Sequence, residues 1–336
     1  MENNSISEIW NKILESKKII MSLHSGPDGD SFGSCTAMKH VLEKLNKQVK
    51  LISKDNLSEA LQQMPLTEEI EFEKDITEID LKEFDLLLCI DTATPNMIGK
   101  FKANYQIPKN IFVINIDHHP TNKLYGNLNF VDECQPSACS ALIELFKQNK
   151  IEFTSELSTR LLIGLCTDSG FFQFATTAEK AIKQASFLIE KGGKYTDKVL
   201  APILHNQPLN LVKYYSLLLM KLKINKKMKY AYSVVTEKEI KRLKLNKSDV
   251  RLGPNHLQFI KEFDFIFTLA DLGNEIKGSF RSQKGVDVSL FAAELGGGGH
   301  KAAASFVLPK IPLEQAEKKV LEAINRIGIH KILKTI

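Results

Sequence analysis

Acidic side chains follow three predicted strands, each at the point where the strand ends. Asp28 with Asp30, then Asp91, then Asp117 come directly after apolar runs of strand length. In open parallel sheets, ligands bind beyond the carboxyl ends of the strands, so we expect these acids to gather at one crevice. Clustered carboxylates repel one another, and they stay ionised together only where cations lie among them; otherwise some take up a proton.

The first acidic segment has the spacing HxxxDxD, from His24 through Asp28 to Asp30, on a turn rich in Gly and Pro. Such turn residues let a short loop fold back, so that the imidazole and both carboxylates face one point. The alternative is an ordinary strand-to-helix turn in which Asp30 or Ser31 caps the next helix.

The third acidic segment places two imidazoles directly after an acid, in the order Asp117, His118, His119. The chain has 8 histidines, so two adjacent ones at a strand end indicate a functional site rather than a solvated loop. A fourth acid, Asp168, follows an apolar helical stretch and could approach the same crevice. Taken alone, Asp168 is typical of a helix end or a turn.

A second candidate site lies in the run Gly296 to Gly299 followed by His300. Four glycines alone are typical of a flexible turn after a helix. They also let backbone N–H groups approach an anion closely, and His300 and Arg281 can add charge-assisted hydrogen bonds to phosphate.

The elements that position these residues are predicted from apolar runs. In the first half the runs are apolar at successive positions and alternate with helical stretches, which is typical of a parallel sheet buried on both faces. They span residues 17–24, 47–53, 84–91 and 111–117. After residue 134 the pattern becomes helical. In the second half, the pattern of apolar and turn residues predicts two strands around a turn at Leu272–Asn274, then a helix, a strand and a final amphipathic helix.

Length and composition agree with two globular domains. At about 150 residues per domain, a chain of 336 residues holds roughly two. We predict one domain over residues 1–195, a linker over 196–227 and a second domain over 228–336. Five lysines among residues 221–230 give that linker a solvated or nucleotide-guiding face.

Charge and targeting signals limit the binding partners and the cellular location that the sequence predicts. A net charge of +5 is too small to predict a nucleic-acid groove by itself. The start MENNSISEIW lacks the features of a secretory signal, and no apolar run approaches the ~18 residues that span a bilayer. The 5 cysteines show no disulfide or zinc spacing. We therefore expect a cytoplasmic protein without a membrane partner.

Four segments occur in the order in which the DHH phosphoesterase superfamily carries its motifs: HSGPDGDSFGS, LLLCIDTA, IDHHP and GLCTDSGFF. The chain resembles that superfamily, which includes RecJ exonucleases and family II pyrophosphatases. Two later segments resemble its DHH-associated C-terminal domain: GSFRS and DVSLFAAELGGGGHKAAASF. The pairing, at this length, most resembles the nanoRNase/pAp phosphatase branch, and the resemblance covers nearly the whole chain.

The resemblance implies an α/β fold and a site with two manganese ions. An N-terminal parallel-sheet domain would join, through a helical linker, a smaller mixed α/β domain, with the active site in the cleft between them. His24 and Asp28 would hold one ion, Asp30, His118 and Asp168 the other, and Asp91 would bridge both. Mixed imidazole and carboxylate ligands suit Mn²⁺ better than Mg²⁺ or Ca²⁺.

The resemblance also implies roles for the remaining candidates. Asp117 would orient a neighbouring histidine or complete the layer of residues just outside the metal ligands, and His119 would contact the scissile phosphate or assist the leaving oxygen. A separate set would grip the phosphate or nucleotide end of the substrate: Arg281, Ser282, Gly297, Gly298, Gly299 and His300. The two ions would bind a shared hydroxide as the nucleophile of phosphoester hydrolysis.

The implied substrates are short oligoribonucleotides, cleaved to mononucleotides, and pAp, converted to AMP. The alternatives are a phosphodiesterase for linear or cyclic dinucleotides (pApA, cyclic di-AMP), a polyphosphate or pyrophosphate hydrolase, and a regulatory protein without turnover. The family permits a homodimer, which no sequence feature requires.

Two segments depart from the family pattern. Residues 251–256 stand where an acidic-Gly pair is expected, and Ser305 replaces the glycine of Ala-Ala-Gly-Phe.

Overall fold

The chain forms two compact units, Met1–Gln207 and Pro208–Ile336. The computed structural model describes residues 3–64, 67–99, 107–108, 111–173, 178–205, 207–282 and 284–333. Within those ranges the first unit contains a parallel sheet with helices on one face. The second contains a mixed sheet with helices of its own.

The first unit is built on a six-stranded sheet in the described part of the chain, and every neighbouring pair in it is parallel. The strand order is β3-β2-β1-β4-β5-β6. Its strands are β1 (Lys18–Ser22), β2 (Gln48–Ser53), β3 (Glu71–Phe72), β4 (Leu86–Ile90), β5 (Phe112–Asp117) and β6 (Leu128–Val131). Its helices are α1 (Ile6–Glu15), α2 (Gly29–Lys44), α3 (Glu59–Gln62), α4 (Ala138–Gln148), α5 (Ser155–Asp168) and α6 (Ala178–Glu190).

The central strands are buried on both faces, as successive apolar positions predict. In β1, Ile19 and Met21 join the core beneath the helices, while Ile20 joins a separate cluster on the other face. That second face is covered by irregular chain and by short 3₁₀ turns at Ile76–Glu78 and Leu81–Glu83, whose Ile76 and Leu81 belong to the second cluster. The apolar runs of the sequence therefore form the middle of the sheet.

Helices α2 and α5 pack against each other through glycines. A Cβ atom on Gly33 would lie 2.7 Å from the carbonyl oxygen of Arg160 and 2.8 Å from the nitrogen of Gly164. A Cβ on Gly164 would overlap the carboxylate of Asp30 and the thiol of Cys139. This close approach holds the start of α2 beside the end of α5, where Asp30 and Asp168 lie.

The second unit carries another six-stranded sheet within the described residues, ordered β11-β12-β10-β9-β8-β7. Only its β8–β9 pair is parallel among the strands described. Its strands are β7 (Lys223–Asn225), β8 (Tyr230–Val235), β9 (Phe265–Asp271), β10 (Glu275–Ser282), β11 (Gly298–Gly299) and β12 (Ala303–Pro309). Its helices are α7 (Leu209–Met220), α8 (Glu237–Arg242), α9 (Lys247–Leu257), α10 (Ser289–Glu294) and α11 (Leu313–Leu333).

The predicted α/β class with a second, mixed-sheet domain is confirmed. The four apolar runs of the first half form β1, β2, β4 and β5. The predicted turn at Leu272–Asn274 joins β9 to β10, with Gly273 at φ +91°. Residues of the predicted linker form a π-helical segment, Thr196–His205, followed by α7 and β7. The boundaries at 195 and 228 stay a prediction.

Candidate active site

Asp28 begins α2 and faces the end of β1. Its side chain accepts the N–H of Ser31 and caps the helix, so the cap is Asp28 rather than Asp30 or Ser31. His24 lies two residues beyond β1. Its backbone N–H donates to Ser31 Oγ at 3.1 Å, which holds the chain in place at this position. His24 Nε2 lies 3.3 Å from Asp28 Oδ1 and 3.4 Å from Asp91 Oδ2.

A second group lies on the other side of Asp91. His118, just beyond β5, places Nε2 3.5 Å from Asp91 Oδ1, 3.7 Å from Asp30 Oδ2 and 3.4 Å from Asp168 Oδ2. Asp91 therefore contacts His24 through one carboxylate oxygen and His118 through the other. The six residues predicted as metal ligands come together at the carboxyl edge of the sheet.

The position of Asp91 depends on an unusual backbone conformation. The residue directly follows β4 and has φ +59°, a left-handed conformation that Asp tolerates better than most residues. Its N–H still donates to Ile116 O at 3.0 Å, so the chain stays joined to β5. Strained residues of this kind cluster at functional sites, where the surrounding structure holds them in place.

Asp30 has a structural contact as well as a place in the cluster. Its two oxygens accept the N–H groups of Ala138 at 2.6 Å and Cys139 at 3.0 Å, at the start of α4. The carboxylate therefore lies at a helix N-terminus, which favours its negative charge. Because each oxygen has two lone pairs, Asp30 can hold α4 and still coordinate a cation.

Asp117 is fully buried and holds the histidine pair. Its Oδ1 lies 2.7 Å from His119 Nδ1 and accepts the N–H of His118 at 2.8 Å. Its Oδ2 accepts Asn122 Nδ2 at 2.5 Å, and that amide group also reaches Asn115 Oδ1 at 2.8 Å. These contacts fix the ring of His119 and its tautomer.

Sequence reasoning missed Asn122 and Asp55. Asp55 accepts hydrogen bonds from Ser25 Oγ and the N–H of Gly26, each at 2.7 Å, and so holds the turn between His24 and Asp28. Asp55 could have been found by the signal that identified the other acids, an acidic residue after a predicted strand. It follows β2 as the other acids follow β1, β4 and β5. Asn122 carried no comparable signal, since it lies in a polar loop.

The pKa values of the cluster are displaced because charges are buried together. Burial opposes protonation of His24, but Asp28 and Asp91 outweigh it and raise the pKa of His24 to about 10. Burial, together with Asp91 and Asp28, raises the pKa of Asp168 to about 6. Burial likewise opposes ionisation of Asp91, yet contacts with His118 and His24 hold its pKa below the usual range. Protons therefore balance the charge when no cation is bound.

The donor set fits a divalent cation. Asp91 Oδ1 is buried and accepts no hydrogen bond from the described residues, although it lies among imidazole nitrogens. The histidine nitrogens and aspartate oxygens are 3.3–3.7 Å apart, which is too long for good hydrogen bonds. They match ligands that share one ion with bonds of about 2.1 Å. In each of the two predicted sets the ligand atoms lie within 4.8 Å of one another: His24, Asp28 and Asp91 in one set, and Asp30, His118 and Asp168 in the other.

The second predicted set lies in the second unit. Arg281 is on β10, with Nε donating to Asn255 Oδ1 at 2.7 Å and Nη1 donating to Phe280 O at 2.8 Å. Ser282 is buried, and its hydroxyl donates to Asp264 O at 3.3 Å. Gly298 and Gly299 form β11 beside β12, and the His300 N–H donates to Ala303 O at 2.8 Å. The run after Gly297 is thus a short hairpin.

Both halves of the chain match known family models. The model of the DHH family, N-terminal domain, matches residues 18–165, and the DHHA1 domain matches residues 227–327. The chain belongs to the DHH superfamily of phosphoesterases. As a DHH protein it is a hydrolase that acts on phosphoester bonds. No helix in the described residues is long and apolar enough to cross a bilayer.

Curated relatives of this DHH protein align with nearly the full length of both chains. It is 29% identical over 308 residues to the "Bifunctional oligoribonuclease and PAP phosphatase NrnA" of Thermus thermophilus, covering 91% of this chain and 89% of the relative. It is 28% identical to the NrnA of Mycoplasma genitalium, covering 92% and 94%. Among solved structures, an exopolyphosphatase-related protein from Bacteroides fragilis superposes with a TM-score of 0.82 at 23% identity, covering 96% and 95%. That likeness confirms the fold.

Proposed function

We propose that this hydrolase cleaves short oligoribonucleotides to mononucleotides and converts pAp to AMP in the cytoplasm. The observation that carries the proposal is Asp91, whose two oxygens face two separate groups of imidazole and carboxylate ligands. NrnA relatives, aligned over about nine-tenths of both chains, support the substrate class.

The proposed cofactor is a pair of Mn²⁺ ions. His24 and Asp28 would hold one, Asp30, His118 and Asp168 the other, with Asp91 shared between them. When bound, such ions supply positive charge to the phosphoryl oxygens and make water a stronger nucleophile at neutral pH. The protein's own contribution is to orient the ligands, through Ser31 at His24, the start of α4 at Asp30 and the backbone of Asp91.

His119 is the proposed acid near the leaving oxygen. Its Nδ1 lies 2.7 Å from Asp117 Oδ1, and Nε2 is the ring nitrogen that we propose meets the substrate. Burial opposes the charge of this imidazole, but Asp117 outweighs burial and raises the pKa of His119. A protonated Nε2 can donate a hydrogen bond to the scissile phosphate, or a proton to the departing alkoxide oxygen, which then leaves as a hydroxyl.

The proposed substrate grip lies in the second unit. Arg281 supplies a guanidinium that Asn255 already orients, and the glycines up to Gly299 let backbone N–H groups approach an anion. The imidazole of His300 adds a hydrogen-bond donor beside these backbone N–H groups. We also propose that Ser282 contacts the phosphate or nucleotide end of the substrate, as the resemblance implies.

The test is chromatographic product analysis after incubation with Mn²⁺ and an equimolar mixture of pAp, pApA and an RNA trimer. Mononucleotides from the trimer together with AMP from pAp would support the proposal. Consumption of pApA alone would reassign the enzyme to dinucleotide turnover. An intact mixture would contradict the proposed substrate class.

A further inference from the structure

Asn115 is a polar residue in the interior of β5, between two isoleucines. Its side chain is fully buried, and in the parallel register it lies opposite Cys89 of β4. Asparagine is depleted in strands, and a buried amide costs free energy unless it is hydrogen-bonded. The proposed mechanism does not use this residue. The hydrogen bonds of its amide must therefore offset the cost of burying it.

The amide of Asn115 joins the two loops that follow β4 and β5. Its Nδ2 donates to the carbonyl oxygen of Thr92 at 3.1 Å, and its Oδ1 accepts Asn122 Nδ2 at 2.8 Å. Asn122 Nδ2 also lies 3.2 Å from the Thr92 oxygen. Among the described residues, that carbonyl accepts hydrogen bonds from these two side chains alone. Side-chain amides therefore hold the chain at the point where β4 has ended.

Further contacts join the same two loops. The hydroxyl of Tyr125 lies 2.7 Å from Thr92 Oγ1 and 3.4 Å from Asn115 Nδ2. The backbone N–H of Lys123 donates to Ala93 O at 3.3 Å. Residues 92–93 are thus bonded to residues 122–125 through both backbone and side-chain groups.

Each loop contains a residue in a left-handed backbone conformation. Asp91, directly before Thr92, has φ +59°, and Leu124 has φ +51°, which is unusual for a bulky side chain. The N–H of Leu124 donates to Asn122 Oδ1 at 2.7 Å. Such conformations persist only where surrounding contacts hold them. Through Thr92 and Asn122, the amide of Asn115 supplies contacts of this kind to both loops.

The two loops also carry groups of the site whose separation matters for chemistry. Asp91 lies at the start of the first loop and His119 at the start of the second, with Asp91 Oδ1 3.6 Å from His119 Nδ1. Asn122 Nδ2 also donates to Asp117 Oδ2 at 2.5 Å. A displacement of the Asn122 amide would therefore reach the carboxylate that lies beside the ring of His119.

We propose that Asn115 is a positioning residue that sets the separation between Asp91 and His119 through the two loops it joins. It acts through the Thr92 carbonyl and the Asn122 amide. Its effect on turnover rests on the proposed function, whereas its effect on the geometry of the loops does not. Loss of the amide should misplace His119 relative to the shared carboxylate, which lowers kcat more than it raises KM.

The kinetic test compares Asn115→Leu and Asn115→Asp with RNA trimer and Mn²⁺. Leucine keeps the approximate volume and removes both hydrogen bonds, whereas aspartate keeps the acceptor for Asn122 and removes the donor to Thr92. We expect kcat to fall by about tenfold or more in each, with KM within about twofold of wild type. The matched control is Gln184→Met, which removes another buried amide, on α6, and should turn over as the wild type does.

A second readout needs neither metal nor hydrolysis. In chelator, protein labelled with ¹⁵N in its histidine rings should show a downfield proton on His119 Nδ1, which lies 2.7 Å from Asp117 Oδ1. The signal is assigned by its absence from His119→Gln. Well below the Tm of each variant, we expect both Asn115 variants to lose or broaden it and Gln184→Met to keep it. A residue that only stabilised the fold would leave this signal in place.

Tyr125→Phe decides the question if the Asn115 variants fail to fold, because it removes a single hydroxyl. Its matched control is Tyr214→Phe, which removes a buried hydroxyl that donates to Val250 O at 3.3 Å in the second unit. We expect Tyr125→Phe to broaden the His119 signal and to lower kcat several-fold, and Tyr214→Phe to do neither.

A folded Asn115 variant with the wild-type His119 signal would overturn the proposal, as would identical signals and rates in the two tyrosine variants. An altered signal with wild-type kcat would overturn the role in turnover. If the wild type itself left the trimer intact, the proposed function would fail, and the spectra in chelator would still test the positioning by Asn115.

Discussion

Asp91 is the residue at which the two groups of proposed ligands meet. Asp91→Asn keeps the side-chain shape but removes the charge that both groups share. We expect turnover to fall by about a thousandfold or more, because charge stabilisation by bound ions contributes several kcal/mol to such reactions. The rate with RNA trimer and Mn²⁺ measures this.

The matched control is Glu179→Gln, which removes an exposed carboxylate from α6. It should hydrolyse the trimer at the wild-type rate. Circular dichroism should show that Asp91→Asn is folded. A folded Asp91→Asn protein with near wild-type turnover would remove Asp91 from the mechanism.

His24 and Asp168 determine how the metal-free first unit responds to pH. The folded pKa of His24, about 10, exceeds the unfolded value of 6.5, so the folded state holds an extra proton between these values. Its stabilisation is complete below pH 6.5 and is lost as the pH rises toward 10. Asp168, raised from 3.8 to about 6, acts in the same direction at lower pH. In chelator, we expect Tm to fall from about pH 5 to pH 9.

The same protons must leave when a cation binds, because ligands coordinate in their deprotonated forms. Titrating Mn²⁺ into the protein in buffers of different ionisation enthalpy should therefore reveal proton release near pH 7 to 8. A Tm in chelator that rises with pH over this range would contradict the assignment of these protons.

At the residue level, acids at strand ends share one edge of a parallel sheet, which predicted that Asp28, Asp30 and Asp91 would gather there. The full set of six ligands, with both histidines and Asp168, came from the resemblance to the DHH superfamily. Asp55 followed the same rule and was overlooked. Asn122 could not be predicted, because its importance depends on a contact with Asp117 that only the folded loop creates. The identity of the helix cap, Asp28, depended equally on local backbone geometry.

At the level of elements, the glycine contact between α2 and α5 positions two proposed ligands. Gly164→Ala would press a methyl group against Asp30 and Cys139, and α5 also carries Asp168 one turn later. We expect a loss of about 1–3 kcal/mol in the free energy of unfolding, the usual cost of overpacking. We also expect weaker binding of Mn²⁺, since Asp30 and Asp168 would move apart. Urea denaturation in chelator and a metal-indicator competition measure the two effects.

Ser186→Ala serves as the control for this change, because it alters a small residue on the exposed side of α6. Its stability and metal affinity should match those of the wild type. If Gly164→Ala binds Mn²⁺ with wild-type affinity, the helix contact does not position the ligands.

The strands of the first unit were predictable because burial on both faces leaves long apolar runs. The contact between the glycines of α2 and α5 could not be predicted. Periodicity shows that a residue is helical, but it does not show which residue of another helix it meets. Segment 196–227 illustrates the same limit. Its lysines indicate a solvated stretch, yet β7 pairs with β8 through backbone hydrogen bonds that side-chain patterns do not reveal.

At the scale of the whole molecule, two compact units should respond separately to ligands. Mn²⁺ binding to the first unit at a concentration of about 100 Kd would add about 2.7 kcal/mol to its stability. Hydrogen exchange read by mass spectrometry should therefore slow in β1, β4 and β5 and change little in β8, β9 and β10. Equal slowing in both sheets would contradict a metal site confined to the first unit.

The strand order of the first sheet has a consequence for synthesis on the ribosome. β1 lies between β2 and β4, so its second edge stays unpaired until residues 86–90 have emerged, and the cluster stays incomplete until Asp168 has emerged. A nascent chain shorter than this exposes an apolar strand and lacks the full cluster. Since the ligands converge only after these long-range pairings form, Mn²⁺ should slow unfolding while leaving the refolding rate nearly unchanged. Stopped-flow refolding that accelerates with Mn²⁺ would instead show that the ion organises the nascent sheet.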